Sequence, residues 1–304
     1  MQKKTFLIIA VVVVAVFAGI FLGYHVWKSE MEKARLLELR RASWNKLAKA
    51  VDRVNKGYKG EVAVIVKDLD TGWQIEENKD MPIPSASLVK IPIMMAYFAA
   101  AEEGRIKLDD TMELKQSDKT DGSGKLKNSP AGTVCKIEDL IRLMITESDN
   151  TAANMLINKM GMDVLEGYFA KFGLRHTNLS RKMMDFKHRK NGVENYTTAQ
   201  DMANALEKLY RGKFINRDVS QKCLDILADQ KVNDRIPRKL PKGVVVSHKT
   251  GLENSVCHDV GIVYTDKGDF LICALAKHKH GTARPTKKFI ASLSLLTYNY
   301  YEGL

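Results

Sequence analysis

Cysteine is scarce in this sequence, and the cysteines that are present show no paired spacing. The 304 residues include four cysteines. They stand apart, with no C-x-x-C pair and no accompanying histidine pattern, at positions 135, 223, 257 and 273. The spacing therefore excludes the common zinc-binding cysteine motifs. Oxidised pairs in an exported domain and buried free thiols both remain open.

Nucleic-acid-binding motifs are also missing, although the chain is basic. The formal net charge is +12, and the lysines and arginines are spread along the chain. Basicity without such a motif does not argue for DNA or RNA. It indicates a solvated basic surface, or a preference for anionic envelope polymers or lipid headgroups. We therefore expect no nucleic-acid partner.

The sequence also lacks the motif of a phosphate-binding loop and the ligand pattern of a metal site. Asp121-Gly122-Ser123-Gly124-Lys125 resembles a phosphate loop. However, the lysine is followed by leucine rather than by Ser or Thr, and no glycine stands five residues before Gly124. We predict a surface loop there. The stretch His278-Lys279-His280 has no evident third ligand, so we expect neither a metal nor another cofactor.

One long apolar run stands close to the N-terminus. Residues Phe6 to Tyr24 form nineteen uninterrupted apolar positions, with Lys3 and Lys4 before them. At about 1.5 Å per residue the run nearly matches a bilayer core of about 30 Å. A cleaved signal would be shorter and would end in small residues, so we predict an uncleaved membrane anchor over residues 1–28.

Strands are predicted at both ends of the chain, and helices fill the middle. Strand patterns occur at 61–69, 73–76, 244–250, 257–265 and 270–276. Helical patterns occur at 29–56, 87–104, 136–147, 151–159, 163–172, 198–210, 220–228 and 285–301. This order predicts an α+β fold with one antiparallel sheet built from both chain ends and flanked by helices.

The same order predicts the domain organisation. An α/β domain would be discontinuous, formed by residues 29–80 and 240–304, and an all-helical domain would be inserted over 81–239. We expect a cleft where the two domains meet.

The tetrapeptide Ser87-Leu88-Val89-Lys90 opens an apolar helical stretch. The i, i+3 spacing puts Ser87 and Lys90 on one helical face. A lysine amine that is kept partly neutral can take the proton of a serine hydroxyl. Ser85 or Ser87 could also simply cap the helix, with a solvated lysine beside it. The same spacing recurs from Ser43 to Lys46, where we assign it no function.

Two further tripeptides follow in chain order. Ser148-Asp149-Asn150 precedes a helix and has the composition of a cap. Alternatively, Ser148 could relay a proton to a leaving nitrogen while Asn150 binds a substrate amide. Lys249-Thr250-Gly251 could be an ordinary strand end, or a basic residue and a hydroxyl that hold a substrate carboxylate. The N–H of Leu252 would then complete an oxyanion hole.

Ser-x-x-Lys, Ser-Asp-Asn and Lys-Thr-Gly in this order resemble the signature of the penicillin-recognising serine enzymes. The chain resembles the class A β-lactamase family over residues 44–300. The stretches MITESDNTAANMLI, NDRIPRKLPKG and HDVGIVY are also similar to that family.

The resemblance implies a role for each matching residue. Ser87 would be the acylated nucleophile and Lys90 its proton acceptor. Ser148 would protonate the leaving nitrogen and Asn150 would orient the acylamide. The substrate carboxylate would be bound by Lys249 and Thr250, with Gly251 and Leu252 beside them on the strand.

One position departs from the family. Class A enzymes carry a glutamate that activates the deacylating water two residues after a loop arginine, which Arg181 matches here. Counting onward without gaps places Met183 at the glutamate position and Lys187 where an asparagine is expected. Asp185 is the nearest carboxylate, and it is our candidate for the base if the loop is re-registered.

Together these observations predict a membrane-anchored serine hydrolase that hydrolyses β-lactams slowly. The alternatives are a D-alanyl peptidase or esterase that β-lactams inhibit, and a non-catalytic β-lactam or cell-wall binding module. More positive residues follow the apolar run than precede it, which would place the body inside the cell. The chemistry that the resemblance implies takes place outside the cytoplasm, so we expect an extracytoplasmic body. We also expect a monomer.

Overall fold

The computed structural model of the chain describes residues 2–278 and 282–304, with side chains at residue 17 and from residue 19 onward. The first helix, α1 (Gln2–Gly57), includes the apolar run and the charged segment after it. Most of the run from Phe6 to Tyr24 lies outside the described side chains. Among the side chains that are described, no helix offers an apolar stretch long enough to cross a membrane.

The chain divides into two compact units, residues 2–49 and 50–303. The first unit is helical throughout. The second contains the sheet and all the remaining helices of the described residues. The predicted start of the first helix at residue 29 is replaced by a single helix from Gln2, and no proline between residues 2 and 57 interrupts it.

The predicted antiparallel sheet is confirmed. Within the described residues it has five strands in the order β2-β1-β9-β8-β7, and every neighbouring pair is antiparallel. The strands are β1 (Gly60–Asp68), β2 (Gln74–Glu77), β7 (Val246–Glu253), β8 (Val256–Val263) and β9 (Phe270–His278). Because β1 lies beside β9, the two ends of the chain meet in the middle of the sheet.

The residues between these strands are mostly helical. The segment contains α2 (Lys90–Glu102), α3 (Ile137–Thr146), α4 (Asn150–Met160), α5 (Met162–Lys171), α6 (Phe186–Lys190), α7 (Ala199–Tyr210) and α8 (Arg217–Ala228). The chain closes with α9 (Arg284–Glu302). The predicted α+β class is therefore confirmed.

Four short strands were not predicted. They form the pairs β3 (Ile83–Pro84) with β6 (Tyr196–Thr197), and β4 (Thr111–Glu113) with β5 (Val134–Lys136). Strands of two or three residues are too short to show alternation, so their partners can be found only from the three-dimensional structure.

Helix α2 forms the centre of the helical core. Its residues from Lys90 to Ala100 are all buried, and nearly all are apolar. A helix that is apolar on every side must be surrounded by protein. Lys90, at its first position, is therefore covered by neighbouring elements, and its environment depends on them.

Candidate active site

Ser87 lies in a tight 3-10 turn, Ala86–Val89, that leads directly into α2. It borders a cavity of about 600 Å³. The other lining residues are Ala86, Gly122, Ser123, Asn150, Met183, Met184, Phe186, Leu252, Glu253, Asn254, His278 and Ala283. The predicted nucleophile is therefore half-buried at the wall of a cavity large enough for a small-molecule substrate.

The alternative in which Ser85 or Ser87 caps the helix is wrong. Neither the turn nor α2 has a side-chain cap, and the Ser85 hydroxyl instead donates to the Ala86 carbonyl at 3.4 Å. Backbone bonds hold the turn, including one from Ser85 N–H to the Asn195 carbonyl at 2.7 Å. Ala86 has φ of 46°, a left-handed conformation that is unusual for a residue with a side chain. Freed from capping, the Ser87 hydroxyl is available to the cavity.

Lys90 is completely buried, and its amine is held by the loop before α4. Its Nζ lies 2.7 Å from the Ser148 carbonyl, 2.7 Å from Asn150 Oδ1 and 3.4 Å from Ser148 Oγ. Burial lowers the pKa of Lys90 to about 7, although the Asp149 and Glu253 carboxylates oppose the shift. Near neutral pH the amine is thus divided between a form that can donate a proton and a form that can accept one.

Lys249 on β7 brings a second buried amine to the same place. Its Nζ donates to Ser148 Oγ at 3.0 Å and to the Thr250 carbonyl at 2.9 Å. Burial, followed by the positive charges of Lys90 and Arg235, lowers the pKa of Lys249 well below its usual range. A positive charge on either lysine disfavours a positive charge on the other. The two amines are therefore less readily protonated together than either would be alone.

The Ser148 hydroxyl connects the two amines. A hydroxyl oxygen accepts two hydrogen bonds and donates one. With lysine nitrogens at 3.0 and 3.4 Å on its accepting side, its proton is free to point elsewhere. Ser148 also has φ of 54°, and such a conformation persists only where the surroundings enforce it. The arrangement suits a proton relay.

The two interpretations of Ser148-Asp149-Asn150 turn out to be compatible. Asp149 is buried and caps α4 by accepting from Ala152 N–H at 2.9 Å, and it also accepts from Leu126 N–H at 2.8 Å. Its neighbours on either side contact Lys90. The cap thus fixes the loop that presents Ser148 and Asn150.

The strand residues approach the Ser87 turn closely. A Cβ placed on Gly251 would lie 3.3 Å from the Ser85 carbonyl oxygen and 3.4 Å from Ala86 Cβ. Thr250 is buried, whereas Leu252 is half exposed and lines the cavity. Glycine at position 251 therefore lets β7 lie against the turn that carries Ser87.

Met183 and Asp185 have different positions. Met183 lines the cavity, and its backbone is fixed by two hydrogen bonds with the Asn154 side chain. Asp185 is not among the described cavity-lining residues. Its carboxylate accepts from His188 N–H at 3.1 Å and contacts His188 Nδ1 at 2.6 Å, and these contacts lower its pKa, the backbone bond most of all.

Two further residues near the site were not predicted. Glu253 lines the cavity, and its carboxylate pairs with Arg181 at 3.0 Å and with Arg189 at 2.6 Å. Both arginines also pair with Glu194. Arg235 is buried, and its charge acts on Lys249. The 181–194 loop is mainly basic with two acidic residues, and no local pattern connects it to Glu253, which follows Arg189 by 64 residues and Arg181 by 72.

No group of three potential metal ligands occurs in the described part of the chain. Of the stretch His278-Lys279-His280, only the first residue is described. The segment 121–125, predicted as a surface loop, packs against the Ser148–Asn150 loop, where Asn150 Nδ2 donates to the Asp121 carbonyl at 3.1 Å. It is therefore part of the wall around Ser87.

Comparisons with known proteins agree with this arrangement. The model of the β-lactamase enzyme family matches residues 46–301. β-Lactamase VEB-1 of Pseudomonas aeruginosa is 24% identical over 280 residues, which cover 86% of this chain and 92% of that protein. The similarity therefore extends over nearly the whole length of both chains.

Solved structures share the fold. The β-lactamase of Sphaerobacter thermophilus superposes with a TM-score of 0.78 at 31% identity, covering 86% of this chain and 98% of that one. A mutant of PBP-A, solved as an acyl-enzyme complex with penicillin G, has the same TM-score at 27% identity, covering 86% and 97%. Fold and relatives define a serine hydrolase. The chain belongs to the β-lactamase enzyme family, as predicted.

The state of Lys90 gives a direct prediction. We expect its amine to titrate with a midpoint near pH 7, whereas exposed lysines titrate near ~10.4. The side-chain ¹³Cε resonances of labelled lysines, followed from pH 5 to 11, report the midpoint. Because the pKa of Lys249 is lowered as well, the Lys90→Met variant assigns the signals: the Lys90 resonance should vanish and the Lys249 resonance should remain. If no lysine that disappears in this variant titrates below pH 9, the assignment of Lys90 as a base is refuted.

Proposed function

We propose that this protein reacts with β-lactams through Ser87, forms an acyl-enzyme and hydrolyses it slowly. The observation that carries the proposal is the pair of buried amines, Lys90 and Lys249, joined through the Ser148 hydroxyl beside a cavity that contains Ser87. The family membership and the acyl-enzyme formed by the PBP-A mutant with penicillin G support the substrate class.

In the proposed acylation, the neutral amine of Lys90 takes the Ser87 proton as Oγ attacks the lactam carbonyl. The oxyanion that develops is stabilised by the backbone N–H groups of Ser87 and Leu252. The proton then passes through Ser148 to the lactam nitrogen as the C–N bond breaks. Every group in this sequence is a side chain or backbone amide of this chain, so acylation requires no cofactor.

The proposed roles in binding follow from position. Asn150 lines the cavity and can orient the acylamide of the substrate. The substrate carboxylate is assigned to Lys249 and Thr250 on β7, with Gly251 allowing the strand to approach. Leu252 adds an apolar edge beside the oxyanion hole.

Deacylation lacks a dedicated base. A water molecule that attacks the ester must lose a proton to a positioned acceptor, and the thioether of Met183 cannot accept one. Asp185 is occupied by His188, and Glu253 is paired with two arginines. A positioned general base contributes roughly 10²–10⁴-fold, or about 3–5 kcal/mol of barrier. The acyl-enzyme should therefore accumulate.

A D-alanyl peptidase or esterase is the second candidate, and Met183 is the observation that favours it. A long-lived acyl-enzyme would make β-lactams inhibitors rather than substrates. The same groups around Ser87 could acylate on a D-alanyl peptide. A binding module without turnover is the limiting case, in which no hydrolysis follows the adduct.

The proposal also includes the organisation of the chain. Residues 1–28 would anchor the protein in the membrane with the body outside the cell. The discontinuous domain of residues 29–80 and 240–304 would carry Lys249, while the inserted domain, 81–239, would carry Ser87, Lys90 and Ser148. We propose a monomer, because these residues come from one chain.

Replacing the nucleophile tests the chemistry. Ser87→Ala should abolish covalent labelling by a fluorescent penicillin, because no other hydroxyl occupies the turn before α2. Ser43→Ala, the matched control with the same Ser-x-x-Lys spacing, should be labelled like the wild type. In the wild type, the rate should rise as pH increases through about 7, where Lys90 loses its proton. Equal labelling of the wild type and Ser87→Ala would refute the assignment.

Turnover should be limited by deacylation. Mixing with a chromogenic β-lactam should give a stoichiometric burst followed by a slow steady state, and mass spectrometry should show the adduct persisting. Met183→Glu should raise the steady rate by placing a carboxylate on the cavity wall. Asp185→Asn should leave it unchanged. A collapse of turnover in Asp185→Asn would instead identify Asp185 as the base, and rapid burst-free turnover would contradict the proposal.

Membrane topology is tested on whole cells. With an apolar run of nineteen residues, the protein should sediment with membranes. External protease should digest its body in spheroplasts, and deletion of residues 6–24 should release it from the membrane fraction. A body that resists protease until the cells are lysed would show that it faces the cytoplasm.

A further inference from the structure

His258 lies in the interior of the sheet, directly behind the turn that carries Ser87. It is fully buried on β8, where it pairs with Gly251 of β7 and with Leu275 of β9. Both ring nitrogens have partners. Nδ1 lies 3.2 Å from Ala276 N, and Nε2 lies 2.9 Å from the Pro84 carbonyl oxygen. The ring therefore connects the sheet to the segment that enters the Ser87 turn.

The chemistry of the two partners fixes the tautomer. The Ala276 backbone N–H can only donate, so Nδ1 must be the unprotonated, accepting nitrogen. The Pro84 carbonyl can only accept, so the proton must be on Nε2. The imidazole is therefore neutral. Burial, which lowers the pKa of His258 to about 4, acts in the same direction.

The turn needs support because its backbone conformation is unfavourable. Ala86 has φ of 46°, and a residue with a side chain keeps such a conformation only where its surroundings enforce it. The 194–197 loop holds one side through Asn195, which accepts from Ser85 N–H. On the sheet side, His258 donates to Pro84. The two bonds restrain residues 84–85 just before Ser87.

The distance between the Ser87 turn and β7 matters because each of them supplies one donor of the proposed oxyanion hole. One proposed donor, the N–H of Ser87, is in the turn, and the other, the N–H of Leu252, is on β7. His258 Cδ2 would lie 3.1 Å from a Cβ on Gly251, which in turn would lie 3.3 Å from the Ser85 oxygen. The ring thus packs where the strand and the turn meet.

We propose that His258 is a positioning residue, a neutral hydrogen-bonded link that holds the Ser87 turn at a fixed distance from β7. It does not touch substrate or take part in proton transfer. This inference rests on the proposed function, because its consequence is the rate at which Ser87 is acylated. Loss of the link allows the turn to shift, and a misplacement of about 1 Å costs roughly 10²-fold in rate.

The test compares variants by acylation kinetics with a fluorescent penicillin. His258→Leu should acylate about 10²-fold more slowly at saturating penicillin. His258→Gln, whose amide can still donate to Pro84, should recover about tenfold of that loss. Val263→Ala, a buried change on the same strand away from the turn, should acylate like the wild type. Each variant's thermal midpoint is measured in parallel, so that a loss of stability is separated from a change in rate.

A folded His258→Leu that acylates at the wild-type rate overturns the inference, as does a His258→Gln no better than His258→Leu. If wild type fails to acylate, the proposed function fails instead. The tautomer can then still be tested by ¹⁵N NMR of histidine-labelled wild type, which also covers a His258→Leu variant that does not fold. We expect a proton on Nε2 and none on Nδ1 from pH 5 to 8, and a proton on Nδ1 would refute the link.

Discussion

The burial of two lysine amines around one hydroxyl is the constraint on which the rest of this site depends. Placing an ammonium in a dry interior is unfavourable, and a second cation beside it adds repulsion. For Lys90, a pKa lowered from 10.5 to about 7 corresponds to about 5 kcal/mol that disfavours the charged form. The unfolded chain binds more protons over this range, so this group makes the fold more stable as pH rises from about 7 to 10.5.

Elements distant in sequence are required to maintain that environment. The Ser148–Asn150 loop supplies the acceptors for Lys90, and Asp149 holds this loop by capping α4. Lys249 lies on β7, and glycine at position 251 leaves room for this strand beside the Ser87 turn, because a Cβ there would be only 3.3 Å from the Ser85 carbonyl oxygen. Helix α2 is buried and almost entirely apolar from Lys90 to Ala100, so it helps to exclude water from the Lys90 amine. The lowered pKa of Lys90 therefore depends on elements from across the fold, and the Ser-x-x-Lys pattern alone does not account for it.

This explains which features the sequence could predict. Ser43 and Ser87 have the same spacing to a lysine, and the later motifs distinguished them. Long strands and helices were predictable because their periodicity is local. The 3-10 turn, the pairing of Ile83 with Thr197 and the contact of Glu253 with Arg181 were not. The pairing and the ion pair each join residues far apart in the chain, and no local propensity encodes such a contact. The 3-10 turn is local, but four residues are too few to show a periodicity. The link from His258 to Pro84 spans 174 residues, so it belongs with these long-range contacts.

The distribution of charge around the cavity also bears on how an acyl-enzyme could be released. A useful base has a pKa near the operating pH. The described carboxylates near the cavity and the Ser87 turn are poorly suited to act as such a base. Glu253 is paired with two arginines, and its charge is already balanced. Lys90 has the appropriate pKa. In the proposed mechanism, its amine is neutral again once it has passed the Ser87 proton onward through Ser148, and it would then be able to accept a proton from water. The same amine would act in both half-reactions. Deacylation would be the slower half, because Lys90 is not among the described residues that line the cavity.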